Sequence, residues 1–365
     1  MSYQPGRMGV AEGIGLTFVV MLPRVFLTSP AVTISSVHNL AWTAPLINWV
    51  VTLAVFWLLA KSTVHMGSDL YDVSRRLLGR PGAWVLALSY AALFILDAAS
   101  LLRQFAENTL LTALPAAEFR LIIFWYILFA AVLVYFGIEG IARAAYLVMP
   151  FIVGGVAAVV LLLAPFYDVY RLFPWQGAGL WTAARRGLEL AGLNFGVLLL
   201  LVLAPSFQKP STIMTAAFFG GGVSALLRTL VILFFLLAFG VGVGMEKMLP
   251  FFEMSRLVYL SRYVQRIEAL FIVIWVITGL LAIAINIFAA LYLVARPLGL
   301  PSLRPLVPVI AMIVVNLAVI PSDIGAVVAA DTRLVVLLSA GVYGGPLLLS
   351  AMAYRKGRRK KPWSA

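Results

Sequence analysis

The sequence predicts an all-α polytopic membrane protein of ten transmembrane helices, set out as two repeats of five with the first and sixth helices interrupted. Three observations lead there. The 365-residue chain is 63% hydrophobic and 11% charged, with a mean hydropathy of +1.04, whereas a soluble domain carries roughly 25% charged residues. Ten apolar stretches follow one another, each near the length that crosses a bilayer and each separated from the next by short turn signals. The first and sixth stretches both hold Gly and Pro inside the apolar run, and a five-plus-five order puts them in corresponding positions. Matched interruptions of this kind point to a transporter-type binding site, because a broken helix frees backbone N–H and C=O groups that protein, water or a ligand must satisfy.

In chain order the predicted spans are 8–32, 41–60, 83–111, 121–136, 141–164, 187–205, 216–240, 269–295, 306–320 and 334–354. The whole chain reads as one transmembrane domain, with repeat one at 8–164, repeat two at 187–354 and a basic tail at 355–365. Arg80-Pro81-Gly82, Leu114-Pro115, Gly137 to Gly140, Pro174 to Gly179, Lys209-Pro210 and Arg296-Pro297 supply the turn chemistry between spans. The first stretch lacks a small-x-small cleavage pattern and is expected to be retained. Two connecting segments, 69–82 and 250–263, space their apolar residues as helices with a polar face, which predicts short interfacial helices; the second is placed to cap the bundle.

Charge sets the orientation. With both termini inside, fifteen Lys and Arg fall on the cytoplasmic side and ten on the other, so the positive-inside bias predicts cytoplasmic termini. Six of the fifteen, Arg355, Lys356, Arg358, Arg359, Lys360 and Lys361, form the tail. Beside a span, such a block reads as an anchor on anionic lipid, and the net charge of +13 is therefore not taken as a nucleic-acid signature. The absence of Cys and the presence of only His38 and His65, both at span ends, leave no thiol chemistry and no His-based metal site. No HExxH, GxSxG or Walker loop occurs, so the sequence points away from an enzyme and calls for no cofactor or metal.

The candidate site follows from the two interruptions. In span one, Gly13 and Gly15 permit unwinding, and Pro23 removes a helical hydrogen bond just before Arg24. In span six, Gly192, Asn194 and Gly196 make a weak helix ahead of Pro205. Gly13, Gly15, Thr17 and Phe18 on one side, and Asn194, Phe195 and Gly196 on the other, are the expected ligand-lining residues. Ala282 and Asn286, one helical turn apart on span eight, form the facing wall. Freed N–H groups at the half-helix ends would hold a carboxylate, with Phe18 and Phe195 closing over an apolar side chain. Several charges lie within spans, among them Arg24, Asp97 and Arg228. A charge at that depth needs a partner, and the sequence leaves both Arg24 and Arg228 open as partners of Asp97. Arg103 and Glu107 are four apart on one helical face and can pair.

A series of segments then carries a resemblance: LRQFAENTLLTALP at 102–115, GIEGIARAAYLVMP at 137–150, LFPWQGAG at 172–179, PFFEMSRL at 250–257 and QRIEALFIVIW at 265–275, with Leu22-Pro23-Arg24 in the first helix. In this order they resemble the spore germination permease family, the B subunits of nutrient germinant receptors. The resemblance implies membership of the amino acid–polyamine–organocation superfamily and a LeuT-like inverted repeat. It further implies a ligand held near mid-membrane against helices one and six, flanked by three and eight. It implies a small nutrient such as an amino acid, A-type and C-type partner subunits, and the inner membrane of a spore-forming bacterium. Two features depart from the superfamily pattern. The slot five residues before Pro23, usually Gly-x-Gly, is Leu16 to Phe18, and the Glu that family members often carry before the helix-six proline is absent from 198–203. Two rival readings remain open: a stand-alone amino acid transporter, and a structural or ion-conducting subunit that binds no nutrient.

Overall fold

The computed structural model describes residues 6–63, 69–207, 209–258 and 268–358; His65 and the tail beyond residue 358 lie outside them. Helix accounts for every regular element. In order these are α1 (Val10–Met21), α2 (Ser29–Val37), α3 (Ala44–Thr63), α4 (Leu70–Thr112), α5 (Phe119–Leu162), α6 (Leu180–Glu189), α7 (Leu199–Val202), α8 (Pro210–Ala216), α9 (Gly222–Glu246), α10 (Pro250–Leu257), α11 (Glu268–Leu298), α12 (Val307–Ala318) and α13 (Ile324–Arg358). Short 3₁₀ segments join several of them, and one π-helical turn, Ala217–Gly221, leads into α9.

Among the described residues, six stretches are long and apolar enough to cross a membrane: Ser29–Ala60, Leu70–Thr112, Phe119–Leu162, Ser211–Glu246, Phe271–Leu298 and Ile324–Arg355. A shorter apolar helix covers Arg304–Ala318. The difference from ten predicted spans has identifiable causes. Predicted spans four and five both fall in α5, which bends at Gly137, where φ is 81° and ψ 171°; only glycine adopts that backbone readily. Predicted spans one and six are both interrupted, and span nine is short.

The predicted interfacial segments have clear structures. Residues 70–78 form the first part of α4, set off from the long apolar part by the positive φ of Gly79. Asp69 caps this start by accepting from the Asp72 N–H at 2.8 Å. Asp69 also meets Arg296 at 2.5 Å and the Tyr292 hydroxyl at 2.9 Å, and Arg296 reaches Asp72 at 2.6 Å. The end of α11 is thereby tied to the start of α4. On the other connection, α10 buries Phe251 and Met254 completely. The Phe251 ring packs at 5.4 Å from Phe26 and 4.6 Å from Phe271, so α10 is seated on the bundle. Residues 259–263 of that predicted segment lie outside the described residues.

The centre of the bundle is built from α1, the 3₁₀ run Leu190–Leu198, α4 and α11. Ala282 to Leu291 on α11 is buried throughout, as are Leu16 to Phe26 and Leu190 to Leu203. In hydrocarbon, helix association depends on close packing and polar contacts between helices, and small residues do that here. A Cβ at Gly15 would stand 2.5 Å from the backbone of Tyr146, and one at Gly279 would stand 2.5 Å from the Phe105 ring.

Candidate functional site

The interruption of span one lies later than predicted. Gly13 and Gly15 sit inside continuous α-helix. The helix gives way only at Leu22, becomes a 3₁₀ turn at Pro23–Phe26, passes through extended Leu27 and resumes at Ser29. Proline forces this by removing a donor and crowding the preceding turn. The glycines serve close packing instead: a Cβ on Gly13 would meet Phe207 at 2.9 Å and Ala216 at 3.0 Å. Thr17 turns its hydroxyl to the Gly13 carbonyl at 2.8 Å, and Phe18 is fully buried.

Span six is interrupted around Asn194. α6 ends at Glu189, nine residues run as 3₁₀-helix from Leu190 to Leu198, and α7 adds one turn before Pro205 ends it. A 3₁₀ run of that length is unusual and marks a hinge or a functional segment. Neighbouring side chains satisfy its freed backbone. Ser339 accepts from the Gly192 N–H at 2.6 Å and donates to the Glu189 carbonyl at 2.7 Å. Asn48 donates to the Leu190 carbonyl at 2.7 Å.

The two interruptions adjoin. Gly196 lies against Val20 so closely that a Cβ would fall 2.4 Å from a Val20 methyl carbon. Of the expected ligand-lining residues, Gly196 lies in this contact, whereas Gly13 faces Phe207 and Ala216 and Gly15 faces Tyr146. Phe195 turns toward α4, 4.6 Å from Phe94 between ring centres and stacked at 6.2 Å on Tyr90. Asn194 donates to Asn48 Oδ1 at 2.8 Å and to Thr52 Oγ1 at 3.1 Å, and its own oxygen accepts from Arg228 Nη2.

A second polar cluster sits at the break in span one. Arg24 is buried, 2.7 Å from Asp97 and 3.0 Å from Asp331. Ser100 donates to Asp331 at 2.6 Å and Asn286 to Asp97 at 2.8 Å. Of the two arginines open as partners for Asp97, Arg24 is the one in contact. Asp331 lies outside the span predicted at 334–354, because the uninterrupted apolar run begins only at Leu334. The helix starts at Ile324 and carries Asp331 into the interior. Ser339, Asn48 and Thr52 went unread for a related reason: each is an ordinary polar residue in an apolar helix, and only the fold supplies its partner. The i, i+4 spacing of Asn48 and Thr52 was the available signal, since it places both on one helical face. Beside this cluster, a cavity of about 200 Å³ opens between α4, α12 and α13, lined by Ser100, Arg103, Ile320, Pro321 and Ala330 among others. Arg103 pairs there with Glu107 at 3.0 Å. Ala282 and Asn286 on α11 are both fully buried, with Asn286 committed to Asp97.

Comparison with known proteins places these features in a family and a fold. A family model described as spore germination protein matches residues 8–326. No curated protein sequence matches the chain. Among solved structures, a nucleobase-cation-symport-1 family transporter, in a closed conformation with bromovinylhydantoin bound, matches 99% of this chain and 82% of its own. Its TM-score is 0.71 at 14% identity. A substrate-bound Na⁺-coupled sialic acid symporter in an outward-open state matches with a TM-score of 0.65 at 12% identity, over 93% of this chain and 78% of its own. A mutant of the manganese transporter of Eremococcus coleocola matches with a TM-score of 0.62 at 12% identity, over 93% and 76%. Spanning helices and membrane-transporter likeness together make this an integral membrane protein of transporter fold.

Proposed function

The chain belongs to the spore germination protein family, and from that premise we propose that it is the ligand-binding, permease-like subunit of a nutrient germinant receptor, sensing a small nutrient such as an amino acid. In this reading it works with A-type and C-type subunits in the inner membrane of a spore, and no catalytic step is involved. Ten crossings in an inverted five-plus-five repeat are part of the proposal. They are obtained by counting the interrupted α1–α2 and α6–α7 segments, the two halves of α5 about Gly137, and the short α12 as crossings. The observation that carries the reading is the meeting of the two interruptions, Leu22–Thr28 and Leu190–Leu198, in the buried centre of a transporter fold. The nutrient would enter where Gly196 meets the helix that carries Thr17 and Phe18, with Asn194 and Phe195 beside it and Ala282 and Asn286 on α11; Gly13 and Gly15, packed on Phe207 and Tyr146, lie outside it. Opening that contact separates Gly196 from Val20.

The test is the melting temperature of the purified chain across a panel of amino acids, nucleosides and sugars. A ligand at 100 times its dissociation constant should add about 2.7 kcal/mol of stability. The shift should survive Thr17→Ala, because that hydroxyl is spent on the Gly13 carbonyl. A panel in which no member moves the wild-type melt, with and without partner subunits, overturns nutrient binding and favours the structural-subunit reading.

Both termini are proposed to be cytoplasmic on the charge bias. Cysteines introduced at Ser2 and Ser364, in a chain without native Cys, should resist an impermeant thiol reagent in intact cells. Labelling of either from outside reverses the orientation.

A further inference from the structure

Arg228 is a buried cation, and among the described residues no acid lies beside it. It lies within the apolar run of α9 and is 3% exposed. Its Nη2 donates to the Asn194 oxygen, a neutral acceptor already oriented by Asn48 and Thr52. Its Nε and Nη1 are buried and meet no acceptor, and among the described residues no carboxylate lies within ion-pair distance. Asp97 and Asp331 are engaged elsewhere, both holding Arg24. The charged group that acts on Arg228 is Arg24, which has the same sign. An uncompensated cation at this depth is costly, and Arg does not escape by losing its proton. Arg228 lines a narrow cleft with Val25, Thr33, Asn48, Leu190 and Leu193. Its free volume is about 10 Å³, room for one group of water size.

We propose that Arg228 is the receptor for a small monovalent anion, held in this cleft by the donors that the protein leaves unused. The shared chemistry is a compact single negative charge, from a free halide or from the carboxylate head of a small organic acid. A halide or a single carboxylate oxygen is the largest part that this cleft admits. Binding is a reversible ion pair that supplies the missing counter-charge. The site shares Asn194 with the proposed nutrient pocket, but it goes beyond that reading and holds without it, because chloride alone satisfies it.

The experiment uses the full chain in detergent with no nutrient present. Chloride or acetate is titrated against methanesulfonate, whose single charge is spread over three oxygens and makes each a weaker acceptor, at constant ionic strength. The melting temperature should rise saturably with at least one of them. Saturation by chloride alone identifies a free halide as the source, and saturation by acetate identifies a carboxylate. Arg228→Lys should keep the response, and Arg228→Gln should weaken the apparent affinity at least tenfold. Asn194→Asp places a carboxylate on the guanidinium and should abolish the response, which decides the matter if Arg228→Gln does not fold. A wild type indifferent to both anions, or an anion shift unchanged in Arg228→Gln or in Asn194→Asp, overturns the proposal. Because amino acids also carry a carboxylate, the nutrient panel is run with the Arg228 anion at saturation, so the two readings fail separately.

Discussion

Arg24→Met should be among the most damaging single substitutions in the bundle, lowering stability by about 3–5 kcal/mol, the range for breaking a buried ionic cluster by removing one partner. The reason is the geometry at the span-one break. Arg24 alone stands between two buried carboxylates, 2.7 Å from Asp97 and 3.0 Å from Asp331. Deleting it leaves two like charges with only Ser100 and Asn286 as donors. Asp97→Asn should cost distinctly less, because Arg24 keeps Asp331. With Asp97 as the sole counter-charge, the two substitutions would cost about the same. Removing all three charges together, as Arg24→Met with Asp97→Asn and Asp331→Asn, should recover most of the loss, since a neutral cluster needs no compensation. Thermal melting of the four proteins in one detergent checks this. If Arg24→Met melts with the wild type, the cluster does not hold the bundle together.

That ranking shows how much of the centre was legible. Hydropathy marks where chain leaves and enters an apolar environment, so the runs in α3, α4, α5, α9 and α11 were readable without a structure. So was the weakness of span six, because Asn194 between two glycines is a poor continuation of a helix in any context. The position of the span-one break was readable only in part. Glycine allows a helix to unwind and proline compels it, and Gly13 and Gly15 are instead where neighbouring chains approach. Distinguishing the two uses of glycine needs the neighbour, which is Tyr146 for Gly15 and Phe207 for Gly13. Asp331 escapes a hydropathy reading because a charge shortens the apparent apolar run, so the predicted span ten begins beyond it. The partners of Asn194 are 142 and 146 positions away, and no local pattern encodes them.

Gly192→Val should have an effect of similar size, because span ten passes over Gly192 with no room for a side chain. A Cβ there would lie 2.0 Å from the Val335 carbonyl oxygen and 2.8 Å from Leu338 Cβ. The first of these is backbone in the middle of α13 and cannot rotate away, so either α13 or the 3₁₀ run must move. Movement also breaks the relay in which Ser339 accepts from the Gly192 N–H and donates to the Glu189 carbonyl. Overpacking typically costs about 1–3 kcal/mol, and leaving the two backbone groups unsatisfied adds about 1–3 kcal/mol for each buried group. Ser339→Ala isolates the second cost, since it removes the relay and leaves the packing intact. The pair should be strongly non-additive: once Gly192→Val has parted the helices, losing the Ser339 hydroxyl has little left to remove. Melting of the two single variants and the double variant measures this directly. Additive losses would mean that the hydroxyl relay and the close approach at Gly192 act independently, so that span six is not held in its 3₁₀ form by span ten.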